Sequence, residues 1–370
     1  MKNLIILYLL SLAFLAGCSP GATQTDFCEP SITLTSPAAG AYFCSGESIL
    51  LSADASDIRT LHKVEFMING QVEISDNDAP YEYFWDTTGI KGTFTIFARA
   101  YDAAGNTGES EVITIHIHFP GPAAAWAPVE AGEFTWSESN TIVNLEHTFQ
   151  IMDFEVNNAQ FTQFLNEANS VGEIIVESPI VAGYYTGDEY YAADYYPYYD
   201  LWEGYGHILW NGGYFSLESG YGCYPVVKVS WFGANAFAEF YGWRLPSEQE
   251  WEKVARGNTG FAYPWGDTLC GYKANYWHSG DPWDEGCTPV GFYNGQLYDD
   301  YQTQDSPSVY GCYDMCGNVY EWTLGWFNES SRILRGGSWS LPATFSITWS
   351  RYPIHPAVTE PDMGFRCVKN

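Results

Sequence analysis

Positive charge is what this 370-residue chain has least of: 15 lysines and arginines stand against 45 aspartates and glutamates, a net charge of −30. A surface so acidic repels phosphodiester backbones and anionic headgroups, which argues against a nucleic-acid partner and against a membrane held by charge. It suits hard cations, which take carboxylate oxygens. The chain also lacks a glycine-rich nucleotide loop and a serine-nucleophile elbow. Disorder does not fit either, because 46% of the residues are hydrophobic and 18% aromatic, enough for a large core.

The apolar run from Leu4 to Ala16 is too short to cross a bilayer as a mature helix. With Lys2 before it and Leu15-Ala16-Gly17-Cys18 at its end, it looks like a lipoprotein signal peptide over 1–18, with Cys18 as the lipidated residue. Ser19 follows, with no retention aspartate, so the expected place is the outer membrane of a Gram-negative envelope, reached through the lipid anchor only. Residues 19–27 read as a polar tether. Eight cysteines remain for an oxidising compartment, where disulfides are the default. Cys28 and Cys44 are an expected pair, and Cys270 and Cys287 a candidate one. The connectivity of Cys223, Cys312, Cys316 and Cys367 stays open.

From 28 to 118, short alternating segments such as Val64, Phe66 and Ile68, closed by Asn69-Gly70, predict an all-β sandwich. The stretches Val64–Gly70, Ala79-Pro80-Tyr81, Trp85-Asp86-Thr87 and Ala100–Asn106 resemble bacterial immunoglobulin-like domains, which implies a spacer or adhesion module. His116 and His118 share a strand face and read as a solvated strand end rather than a metal pair. Phe119-Pro120-Gly121-Pro122 opens a linker over 119–123, and a second, mixed α+β domain spans 124–370. Asn157, Ser230 and Ser247 are expected helix N-caps, the last in a capping box with Glu250. The tyrosine-rich stretch 183–200 has two readings, a ligand platform or large side chains filling space under loops.

The second domain carries a series of motifs in order: Phe154–Phe161, Tyr224–Trp231, Gly242–Glu252, Tyr263–Asp267, Asp314–Trp322, Leu334–Trp339 and Gly364-Phe365-Arg366-Cys367. Together they resemble the formylglycine-generating-enzyme, or sulfatase-modifying factor, family. The resemblance implies a loop-rich fold similar to C-type lectins, stabilised by two structural calcium ions. The first set would be Asn275 and Asp281 with carbonyls of Tyr276 and Trp283; the second, Asp314 and Glu321 with carbonyls of Gly317 and Val319. Family enzymes hold copper with two cysteines, and here those positions are Leu341 and Ser346. Neither supplies the soft thiolate that Cu(I) needs. The histidine spacing of an iron-dependent branch is absent too, so no copper or iron is expected. These features point to a non-catalytic envelope lipoprotein whose calcium-stabilised head binds a glycan, peptide or protein. Trp349, Arg351, Tyr352 and His355, in the stretch replacing the catalytic loop, are its candidate contacts. Two alternatives stay open: a metal-dependent oxidase with unrecognised ligands, and a structural component of an envelope or secretion complex.

Overall fold

The computed structural model describes residues 27–44, 46–88, 90–118, 125–202, 204–283, 285–298 and 300–370. Cys18 with the signal segment, nearly all of the tether, and the linker lie outside the described residues. The chain divides into two units. The first draws on Met1–Ala38, Leu50–Phe84 and Phe94–Thr114; the second on Ala39–Ile49, Trp85–Thr93 and Ile115–Asn370.

The first unit is built of strands. Leu61–Ile68 turns through Asn69 (φ 49°) and Gly70 (φ 74°) into Gln71–Asp76, its antiparallel partner. Two successive left-handed residues give the tight turn whose twist matches a hairpin. On its other edge Leu61–Ile68 pairs with Gly92–Asp102, while Ser31–Ser36 lies antiparallel on Ser48–Ser56 in a separate sheet. Alternation puts Val64, Phe66, Ile96, Ala98, Leu51 and Ala53 inside. This is the expected immunoglobulin-like, all-β arrangement.

The second unit has three α-helices among the described residues. The first, α1 (Asn158–Val171), is capped reciprocally by Asn157 and Gln160 and stopped by Gly172 at φ 77°. Its buried face, Phe161, Phe164, Leu165 and Ala168, packs in the main core with Phe237 and Ala238 of α2 (Trp231–Phe240). Ser230 caps α2 as expected. The capping box of Ser247 and Glu250 starts α3 (Glu248–Arg256). Short sheets complete the unit. In one, Trp126–Val129 and Val368–Lys369 flank Phe149–Met152, so both ends of the domain meet. In another, Ser331–Arg335 and Met363–Gly364 flank Tyr320–Asn328.

Helix α3 departs from a simple amphipathic pattern. Trp251, Val254 and Ala255 are buried, and so are Glu250, Glu252, Lys253 and Arg256. Each charge has a partner: Arg244 with Glu250 at 2.6 Å, Arg335 with Glu252 at 2.6 Å, Lys253 Nζ on the carbonyl of Glu130 at 2.6 Å, and Arg256 with Glu252 at 3.6 Å and with the side-chain oxygen of Asn140.

Three expectations are corrected. Cys44 does not pair with Cys28: it is a free thiol on Tyr42–Cys44 in the second unit, against Cys223. Cys270 and Cys287 are both free, because Cys287 turns its thiol toward Trp339. His116 is buried rather than solvated, since its strand pairs in parallel with Tyr42–Cys44 and its ring stacks on Tyr42 at 4.6 Å. The side chain of His118 lies outside the described residues.

Glu250 gives the fold a pH signature. Although burial alone would raise its carboxyl, hydrogen bonds from Arg244, His147 and the Ser247 amide pull it down to about 2. A carboxyl depressed in the folded state contributes stability that is present above its unfolded value, about 4.5, and lost as pH falls toward 2. Glu250→Gln is expected to destabilise the second unit by on the order of 3 kcal/mol at pH 7. The gap between variant and parent, read by urea unfolding, should close as pH falls from 5 to about 2.5. A gap independent of pH would contradict this.

Candidate functional site

The loop from Asp314 to Glu321 is tightly constrained. Asp314 (φ 57°), Gly317 (φ 80°) and Asn318 (φ 59°) all take left-handed backbone. At Gly317 a Cβ would lie 2.1 Å from the carbonyl oxygen of Asn275, so only glycine lets the two segments touch. The Asn318 amide donates to that same oxygen at 2.8 Å. Glu321 is fully buried and receives both Nε and Nη2 of Arg366, at 2.7 and 2.8 Å, and Trp251 Nε1 at 2.8 Å. Arg366 spends its other donors on the carbonyls of Met152, Asp153 and Tyr313.

Glu155 joins this cluster, and the sequence reading had not singled it out. It is buried and accepts from Asn318 Nδ2 at 2.7 Å and from the Val319 amide at 3.3 Å. Burial first, then the charges of Asp314 and Glu321, push its carboxyl well above the usual range. Asp314 is raised to about 6, again chiefly by burial. Three buried carboxylates thus face one guanidinium, an excess of negative charge in a low-dielectric interior.

The other expected ligand set lies beside this loop. Asn275 is buried; its Nδ2 donates to the Gly286 carbonyl at 2.8 Å and its Oδ1 has no hydrogen-bond partner. Asp281 accepts from the Trp283 amide at 2.6 Å and from Tyr293 Oη at 2.9 Å. The carbonyls of Tyr276 and Trp283 accept from Ser279 and Gly286, both at 2.8 Å. An all-oxygen donor set with surplus negative charge and an orphaned carboxamide oxygen fits a hard divalent cation such as calcium.

In the stretch after Gly336-Gly337, Ser338 Oγ donates to Asp362 at 2.7 Å. Leu341 is half-buried against the main core and its carbonyl accepts from the Trp277 amide at 3.0 Å. Ser346 is buried with its Oγ unpartnered, packed over Gly337. Trp339 reaches from the same stretch to Tyr205, ring centroids 5.2 Å apart, at a cavity of about 590 Å³. Tyr205, His207, Tyr221, Tyr224, Trp283 and Cys287 line that cavity. His207 stacks on Tyr221 at 3.5 Å and pairs through Nδ1 with Glu218 at 2.8 Å. Burial nonetheless lowers its pKa. Trp283 Nε1 donates to Tyr224 Oη at 3.0 Å. Burial pushes the Cys287 thiol well up, so it is a neutral wall and not a thiolate.

Residues 120–370 match the sulfatase-modifying factor enzyme 1-like domain, and residues 30–105 a bacterial Ig domain. The chain belongs to the sulfatase-modifying factor family. Among its relatives is the serine/threonine-protein kinase Pkn1 of Chlamydia trachomatis, 35% identical over 43% of this chain and 26% of that protein. The inactive C-alpha-formylglycine-generating enzyme 2 of Bos taurus is 35% identical over 39% of this chain and 50% of that one. The formylglycine-generating enzyme of Streptomyces coelicolor is 30% identical over 40% and 53%. The matched stretches thus span about half or less of these relatives. Of solved structures, PvdO from Pseudomonas aeruginosa aligns with 68% of this chain and 96% of its own, at a TM-score of 0.47 and 16% identity.

Within the family domain, the four candidate contacts fall into two places. Trp349 lies under the Arg256 guanidinium at 4.8 Å, and Arg351 grips Glu248 through two bonds of 2.6 and 2.7 Å. Tyr352 stacks on Tyr320 at 5.2 Å, and His355 Nε2 meets Tyr191 Oη at 2.9 Å. The sequence reading missed the cavity residues because they come from three separated loops. Their one signal was aromatic density around 205–224. One further cluster was illegible: Cys44, Glu47 and Cys223, whose ligand atoms lie within 4.8 Å of one another. Burial raises both thiols, and Glu47 is raised to about 7.

Arg366→Met leaves Glu321 buried without its counter-charge. It is expected to cost about 3–5 kcal/mol in urea unfolding of the second unit. A loss under about 1 kcal/mol would contradict the role given to this pair.

Proposed function

We propose that the family domain of this protein is a calcium-stabilised, non-catalytic binding module, carried on an envelope lipoprotein anchored at Cys18. The observation that carries the reading is the pair Leu341 and Ser346. An aliphatic side chain and a buried hydroxyl stand where the resemblance calls for two copper-binding thiols. The frame around them is otherwise intact, from the Asp314–Glu321 loop to the Gly364–Cys367 ending. Asn275, Tyr276, Asp281 and Trp283, and Asp314, Gly317, Val319 and Glu321, would hold the calcium ions. Their part is structural: neutralising buried carboxylates and fixing the loops that line the cavity.

The cavity beside Trp339 is the ligand site in this reading. Four aromatic side chains, Tyr205, Tyr221, Tyr224 and Trp283, offer ring faces, while His207 and Glu285 offer polar groups at the same opening. Flat apolar faces with a few directional polar groups match the C–H face and hydroxyls of a sugar ring. We therefore take a glycan as the ligand class; a peptide bearing an aromatic side chain is its competitor.

A second reading has one observation of its own. Cys44 and Cys223 form a soft thiol pair with Glu47 beside them. Metal binding would deprotonate both thiols, and such a set suits Cu(I) or zinc better than calcium. That would return a metal-dependent oxidase to consideration, and the two readings differ in the metal the chain carries.

Saturable binding in a glycan screen, followed by calorimetry, tests the first reading. Tyr205→Ala is expected to weaken the bound glycan by about tenfold or more with an unchanged melting temperature, since Tyr205 is exposed. Equal affinity in the variant would remove the cavity as the site.

A further inference from the structure

A second cavity, of about 560 Å³, lies away from Trp339, between the ends of two helices and a small sheet. The sheet is the antiparallel set Ile174–Glu177, Ile180–Tyr185 and Asp194–Asp200. Tyr184 and Tyr195 are directly opposed across two of its strands, ring centroids 5.5 Å apart at 69°. Tyr198 is buried behind them, its ring laid over Gly183 and its Oη donating to the Tyr184 carbonyl at 3.1 Å. Phe240 adds a fourth ring to the lining.

The polar side of this cavity is all of one sign. Glu173, just past the C-cap of α1, and Glu239, in the last turn of α2, both line it. Neither carboxylate is ion-paired with a lysine or arginine among the described residues. Both helices present their C-terminal, partially negative ends here, and neither has a basic residue in its last turn. Exposed tyrosine faces carry negative potential as well. Aromatic walls, two free carboxylates and two helix C-termini all favour a cation, and the ring faces of Tyr184, Tyr195 and Tyr198 favour an organic one over a hydrated metal ion.

We propose that the Tyr184–Tyr195–Tyr198 cavity, with Glu173 and Glu239, binds an organic ammonium group. A lysine side chain and a quaternary ammonium share that chemistry. The site is independent of the glycan cavity and does not rest on it. Tyr184 and Tyr195 are 52% and 54% exposed, so substitutions there leave the core alone.

Calorimetry on the chain from Ser19 onward tests the proposal, with N-acetyl-lysine methylamide, its Nε-acetylated neutral analogue, and choline as probes. The charged lysine probe or choline is expected to bind saturably and the neutral analogue at least about tenfold more weakly. The tighter of the two cations identifies the source, a polypeptide or a quaternary ammonium compound. Tyr195→Ala and Glu239→Gln should each weaken binding by roughly five- to tenfold with unchanged melting temperatures. Equal binding of the neutral analogue, unchanged affinity in both variants, or no saturable binding of either cation up to about 10 mM would overturn the proposal.

Discussion

The pairing of Arg366 with Glu321 is the constraint on which the second unit depends. Both are fully buried, and the pair is bidentate. Because Arg366 also satisfies the carbonyls of Met152, Asp153 and Tyr313, one guanidinium joins the strand before α1, the approach to the Asp314–Glu321 loop and the C-terminal strand. Buried charges of this kind are tolerated only when every donor and acceptor is used. In a domain of short helices and short sheets, such a network does what long elements do elsewhere. Paired charges also line α3, where Arg335 lies between Glu248 and Glu252.

The pair also leaves buried carboxyl groups without a counter-charge. One guanidinium answers one carboxylate, and Glu155 and Asp314 remain beside it with their carboxyls pushed upward by burial. A hard divalent ion is the economical solution to that excess. The binding reading we propose builds on this: with calcium at that excess, the loops would be free to line cavities, while positions 341 and 346 hold a leucine and a serine where the resemblance calls for thiols.

Local chemistry was legible in the sequence, and long-range pairing was not. Asn157, Ser230 and Ser247 cap helices because capping needs only side chains within the same turn. Asn69-Gly70 turns a hairpin for the same reason. The resemblance brought in the Asp314–Glu321 loop, yet Glu155, far earlier in the chain, joins it only through the fold. Cys44 was assigned to Cys28 on proximity in sequence, whereas it faces Cys223. In the tyrosine-rich stretch, Tyr198 and Tyr199 fill the core, as the packing reading expects, while Tyr184 and Tyr195 stand exposed at a cavity whose carboxylates come from helix ends.

Elemental analysis of the chain from Ser19 onward, purified without added metal, tests the central claim most directly. The account predicts calcium near about two per chain and no copper or iron. Copper near about one per chain, lost in Cys44→Ser, would contradict it and place the oxidase reading first.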